Sequence, residues 1–138
     1  MAKKRKVVSS CCTDRPLSAD NMIDRIRMVF GVKALEEIPS FGDMAPLKTY
    51  YDYLIQHVEF PFEATFVHDY SNERYPFTCQ GIYNPTETDF GSDIHGLFCY
   101  GKNPDGTKRE CPLNDVVISK EISQKQWIDD YSNWTCAF

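Results

Sequence analysis

The segment that decides the fold begins Phe60-Pro61-Phe62-Glu63-Ala64-Thr65-Phe66-Val67 and ends Glu110-Cys111-Pro112-Leu113-Asn114-Asp115-Val116-Val117-Ile118. Within it, helical spacing gives way to the alternation of strands. Phe62, Ala64 and Phe66 alternate with Glu63, Thr65 and Val67, the pattern of a strand that buries one face. Tyr75 to Tyr83 reads as a second strand, with Phe77, Cys79 and Gly81 on one side. Ile94 to Tyr100 reads as a third. Asn103-Pro104-Asp105-Gly106 is a turn, with Pro suited to its second position and Gly to its last, so a hairpin returns through Thr107 to Cys111. Four or five short strands at this spacing make a small, strongly bent antiparallel sheet or an SH3-like, partly open barrel. A barrel of that size fills with side chains, which sends any site to its loops or rim.

Helices flank this segment. Ser18 suits the N-cap of a helix over about 18–30, with Met22, Ile23, Ile26, Val29 and Phe30 on its apolar side. Asp24, Arg25 and Arg27 are expected in water, and Gly31 is placed to stop the helix. A short helical turn through Leu35 and Ile38 is cut by Pro39. The next helix runs over about 46–58, with Pro46 near its start and Leu47, Tyr50, Tyr51, Leu54 and Val58 as its stripe. Pro61 forbids further helix. After the sheet, Ser123 and Gln126 form a capping box, with Ile122 and Trp127 as its hydrophobic staple. That helix spans about 123–134, its apolar face marked by Trp127, Ile128, Tyr131 and Trp134. The plan is a single α+β domain over 14–138, preceded by a basic arm over 1–13 without periodicity.

The chain of 138 residues is 42% hydrophobic and 14% aromatic, enough for one packed core. Its net charge of −5 hides an asymmetry. The first six residues hold Lys3, Lys4, Arg5 and Lys6, which leaves 11 basic against 20 acidic residues from Val7 onward. A body that acidic favours cations or a basic protein partner over nucleic acid, which only the arm could hold, weakly and in a salt-dependent way. No apolar run spans a membrane and no apolar stretch follows the N-terminal lysines. A cytoplasmic setting with reduced thiols is therefore expected for Cys11, Cys12, Cys79, Cys99, Cys111 and Cys136. No C-x-x-C pair points to zinc.

Catalytic signatures are absent. His57, His68 and His95 lie near no nucleophile motif, and no Gly-rich phosphate loop occurs. Carboxylates are the better lead. The loop Asn84-Pro85-Thr86-Glu87-Thr88-Asp89-Phe90-Gly91-Ser92-Asp93 carries Glu87, Asp89 and Asp93 among hydroxyl and carbonyl oxygens, the donors that calcium takes. Its spacing is not that of an EF-hand. Glu63, amid Phe60, Phe62 and Phe66, needs either solvent or a partner. Asp69, Asp115, Asp129 and Asp130 could converge on the same rim. Each also has a plainer reading, Glu63 as the outward face of its strand and Asp129 with Asp130 as a wet helix face.

Several blocks occur together in order: Phe60-Pro61-Phe62-Glu63-Ala64, then Gly96-Leu97-Phe98-Cys99, then Cys111-Pro112-Leu113-Asn114-Asp115, then Trp127-Ile128-Asp129-Asp130-Tyr131 with Trp134. In this the chain resembles the CcbP-type calcium-binding family, small acidic bacterial proteins, over roughly residues 47–135. The resemblance implies a non-enzymatic protein that binds calcium without EF-hands, as a buffer or regulator. It matches Glu63, Asp115, Asp129 and Asp130 to acidic positions of the family. The candidate metal residues are thus Glu63, Glu87, Asp89, Asp93, Asp115, Asp129 and Asp130. The alternative reading is an SH3-like interaction module whose acidic surface needs no metal.

Overall fold

The computed structural model describes residues 19–68, 70–87, 95–118 and 122–138. The basic arm, Ser18, Asp69, Asp89 and Asp93 lie outside the described residues. Helix α1 spans Ala19–Phe30 and α2 spans Met44–His57, separated by a 3-10 turn at Leu35–Glu37. Strands β1 (Phe62–Val67), β2 (Arg74–Ile82), β3 (Phe98–Lys102), β4 (Lys108–Pro112) and β5 (Val116–Val117) follow, with a second 3-10 turn at Leu113–Asp115. Helix α3, Ile122–Ala137, closes the described chain.

Helix α1 stops where expected. Gly31 adopts φ +67°, its N–H bonds to the Met28 carbonyl, and the Val32 N–H reaches the Arg27 carbonyl at 3.1 Å. That pair of bonds satisfies carbonyls the helix would otherwise leave open. Asp43 is the N-cap residue of α2, and Leu47, Tyr50 and Leu54 bury one face at helical spacing. The chain from α2 to β1 is clamped from the far end of the sequence. The Gln124 amide accepts from the Glu59 N–H at 3.2 Å and donates to the Glu59 carbonyl at 2.8 Å. The Phe60–Pro61 peptide bond beyond it is cis.

The sheet is antiparallel, in the order β4-β3-β2-β1-β5. It is not closed into a barrel, because β4 and β5 are both edges and do not pair. The short β5 meets β1 only at Thr65 and Phe66. The sheet does bend. The Arg109 guanidinium on β4 lies 4.8 Å above the Phe66 ring of β1 and 5.2 Å above the Tyr75 ring of β2, so strands two and three places apart converge at that end.

Four details depart from the sequence reading. First, the register shifts between Cys79 and Gly81, which is a β-bulge. The extra residue turns Gly81 to the face opposite Phe77 and Cys79, where the Tyr100 ring covers it. Second, β3 starts at Phe98 and residues 95–97 stay outside it, the Leu97 N–H bonding to the Tyr131 hydroxyl at 2.7 Å; Ile94, where the expected strand began, lies outside the described residues. Third, α3 already includes Ile122 and Ser123, so Ser123 cannot be its N-cap. Fourth, Cys79, Cys99 and Cys111 are buried free thiols as expected, but Cys136 is disulfide-bonded.

The core lies between the inner sheet face and the three helices. Trp134 is at its centre, with Tyr50 at 5.1 Å, Phe30 at 5.4 Å and Phe41 at 5.6 Å between ring centroids. Its indole N–H donates to the Pro39 carbonyl at 2.9 Å. Ile128 and Tyr131 complete the expected apolar face of α3. The opposite face is not wet. Asp129, Asp130, Ser132 and Asn133 are buried as well, because α1 and the 113–115 turn pack against the helix.

The close approach of β2 and β3 gives a stability test. A Cβ on Gly101 would run into the Thr78 backbone carbonyl, whereas one on Gly81 meets the movable end of the Tyr100 side chain. Gly101→Ala is expected to cost at least about 3 kcal/mol in urea unfolding and Gly81→Ala about 1 kcal/mol. Equal costs would contradict this packing.

Candidate metal centre

The five candidate carboxylates among the described residues fall in three places; Asp89 and Asp93 lie outside them. Glu63 stands on the outer face of β1, exposed, and accepts a hydrogen bond from the Thr78 hydroxyl at 3.2 Å. It heads a cross-strand row with Thr78, Lys102 and Lys108, which are successive Cα partners. The outward-face reading of this residue therefore describes its surroundings well: it needs no burial partner because it remains in water.

Glu87 lies at the start of the β2–β3 loop, exposed, with its N–H bonded to the Asn84 carbonyl at 3.1 Å. The Asn84 side-chain oxygen also accepts from the Thr86 N–H at 3.0 Å and the Thr86 hydroxyl at 2.8 Å, which shapes the first turn of the loop. Glu87 is close enough to Tyr51 of α2 to act on it. Partial burial is the main cause raising the Tyr51 hydroxyl pKa, and the Glu87 charge is the next.

Asp115 lies on the 113–115 turn, and Asp129 and Asp130 lie on α3, which packs against that turn. Asp115 is half-buried in the 3-10 turn, which docks on α3. The docking is polar: the Asn114 side-chain oxygen accepts from the Ser132 hydroxyl at 3.3 Å and from the Thr135 hydroxyl at 3.2 Å. Asp129 pairs with Lys125 at 3.0 Å. Asp130, only 2% exposed, takes a two-pronged bond from Arg25, at 2.6 Å from Nε and 3.0 Å from Nη2. That geometry is the strong form of the guanidinium–carboxylate pair. It corrects the placement of Arg25 in water and of Asp130 on a wet face.

Sequence reasoning missed this pair and one other cluster. On the outer sheet face, the Tyr83 hydroxyl bonds to Glu110, and Lys108 lies 3.1 Å from the same carboxylate. The Tyr83 hydroxyl first, then Lys108, holds the Glu110 carboxyl below its ordinary range. Tyr83 also packs on Tyr100 at 4.6 Å. No sequence motif marks the cluster, although Lys108 and Glu110 alternate on one face of the expected hairpin.

Among the described residues, no three His, Cys, Asp or Glu side chains converge to hold a metal ion. What the described rim offers is hard oxygen donors in the right class for calcium, with Glu87 exposed and Asp115 half-exposed. Cys99 faces Cys111, sulfur to sulfur at 3.7 Å, so it behaves as a core thiol. No helix among the described residues is long and apolar enough to cross a membrane.

Three helices on an open five-stranded antiparallel sheet define a small α+β class of protein, and solved structures share it. No family model matches the chain, and neither does any curated protein. The crystal structure of Anabaena CcbP matches with a TM-score of 0.60 at 17% identity, covering 91% of this chain and 94% of that one. A calcium binding protein in its calcium-binding form matches with a TM-score of 0.62 at 15% identity, with the same coverage. The chain therefore has the CcbP-type fold, as its short sequence blocks implied.

The Arg25–Asp130 pair yields an energetic test. Removing one partner of a buried ion pair leaves an uncompensated charge, which costs more than replacing both. Arg25→Met is expected to lower unfolding free energy by about 3 kcal/mol. The double variant Arg25→Met, Asp130→Leu should recover part of that loss. A single variant as stable as the parent would show that the pair does not hold α1 in place.

Proposed function

We propose that this protein is a non-enzymatic calcium-binding protein, working without EF-hands as a buffer or regulator. The likeness in fold to a protein solved in its calcium-binding form, across nine-tenths of both chains, is the observation that carries this reading. The donor chemistry of the rim supports it. Glu87, Asp89 and Asp93 belong to one ten-residue loop rich in further oxygens, and Asp115 stands on a neighbouring turn of the sheet. We assign the ion to this loop, with backbone carbonyls completing the shell.

The remaining candidates are better used elsewhere. Asp130 is engaged by Arg25 and Asp129 by Lys125, and binding an ion there would have to displace those cations. Glu63 stands among lysines on the sheet face, where the local field disfavours a second cation. Binding through so few fixed carboxylates should be weak, in the range of a low-affinity site.

Thermal unfolding of metal-stripped protein tests the proposal, with millimolar calcium in one arm and magnesium in the other. An ion that binds only the native state raises the melting temperature by mass action. For a low-affinity site with Kd of about 0.1–1 mM, calcium at about 1 mM gives about 0.4–1.4 kcal/mol, or a rise of about 1–4 °C. Asp89→Asn with Asp93→Asn should abolish the calcium-specific rise. Asp130→Asn should lower the melting temperature in every arm and leave the rise in place. Equal behaviour in calcium and magnesium would overturn the proposal and leave the acidic surface as a docking face for a basic protein, whose binding would weaken with salt.

A further inference from the structure

The three helices meet at a polar junction inside an apolar core. Arg25 enters from α1, Tyr50 and Tyr53 from α2, and Asp130 from α3. The Tyr50 ring is closely packed, with Tyr131 at 5.4 Å, Trp134 at 5.1 Å and Phe30 at 5.7 Å. Its hydroxyl is fully buried and has no hydrogen-bond partner among the described residues. It is the one such side-chain atom among them.

That hydroxyl is an electrostatic neighbour of the ion pair. Burial is the main cause that pushes its pKa well up, and the Asp130 charge is the next, opposed by Arg25. Tyr53 responds to the same carboxylate and the same guanidinium. A buried hydroxyl left unmatched forfeits its hydration with no return, and native interiors rarely keep one. A carboxylate oxygen can accept more than one hydrogen bond, so Asp130 is a fitting final acceptor. No direct hydrogen bond joins the hydroxyl to the carboxylate, although the Tyr50 ring packs on Tyr131, the residue after Asp130, and a buried water is the usual partner of such a group.

We propose that the junction is an internal water site. One water accepts the Tyr50 hydroxyl proton in a hydrogen bond and donates to the Asp130 carboxylate. It thereby couples α2 to the α1–α3 ion pair, so that all three helices share one polar network.

Tyr50→Phe tests this with a clear sign. It removes only the oxygen and keeps the ring that the core packs on. Loss of a bridged hydroxyl lowers the melting temperature, by about 3 °C or more, whereas loss of an unmatched one leaves it unchanged or raises it. The fall should shrink in an Asp130→Asn background, because the two residues share the network. Water-to-protein nuclear Overhauser contacts at the Tyr50 ring should be present in the parent. An unchanged or higher melting temperature overturns the proposal. So does a fall with no bound-water contact at Tyr50, which would assign the loss to packing.

Discussion

The two-pronged bond from Arg25 to Asp130 is the constraint on which the helical layer depends. It joins residues 105 positions apart and fixes α1 against α3. With it in place, α3 is enclosed on both sides, which explains how a helix can bury Asp129, Asp130, Ser132 and Asn133 beside Ile128, Tyr131 and Trp134. Each polar group on the covered side with a described bond is met by a specific partner: Lys125 for Asp129, Asn114 for Ser132 and the Asp129 carbonyl for Asn133. Such burial is tolerable only when paired.

The sheet is shaped by smaller devices. The bulge at Gln80 redirects Gly81 and lets Tyr100 lie over it, and Gly101 allows β2 and β3 to approach closely. Arg109 then spans the concave end over Phe66 and Tyr75. These features bend the sheet without closing it, and the helices cover the concave side. The result leaves Glu87, at the start of the β2–β3 loop, near Tyr51 of α2, while the Arg25–Asp130 and Lys125–Asp129 pairs stay on the helical side.

Much of this was legible in the sequence. The hairpin at Asn103 to Gly106 needed only its turn residues, and it forms with the Asn103 N–H on the Thr107 carbonyl at 2.8 Å. Gly31 announced the end of α1, and the stripe of Leu47, Tyr50 and Leu54 announced the buried face of α2. The order of short blocks pointed to the CcbP-type fold. What stayed hidden depends on contacts between distant residues. Nothing local to Arg25 says that it meets Asp130. Nothing local to Gly81 says that a bulge one residue earlier will turn it over. In sequence the candidate carboxylates already divided by element, with Glu63 on an outward strand face, Glu87 in a loop and Asp129 with Asp130 on a helix face. That this helix face is buried and met by Arg25 and Lys125 is a product of tertiary packing, which is why periodicity misjudged the wet side of α3.

The proposed function divides the labour: rim carboxylates would hold calcium, while Asp129 and Asp130 are engaged by Lys125 and Arg25. The most direct measurement is a calcium titration of isotopically labelled, metal-stripped protein followed by amide NMR shifts. The account predicts calcium-specific shifts concentrated in the loop after β2, at residues 84–97, and at Asp115, with the amides of α1 and of Asp129 and Asp130 nearly still. Shifts centred on Asp129 and Asp130, or none that distinguish calcium from magnesium, would contradict it.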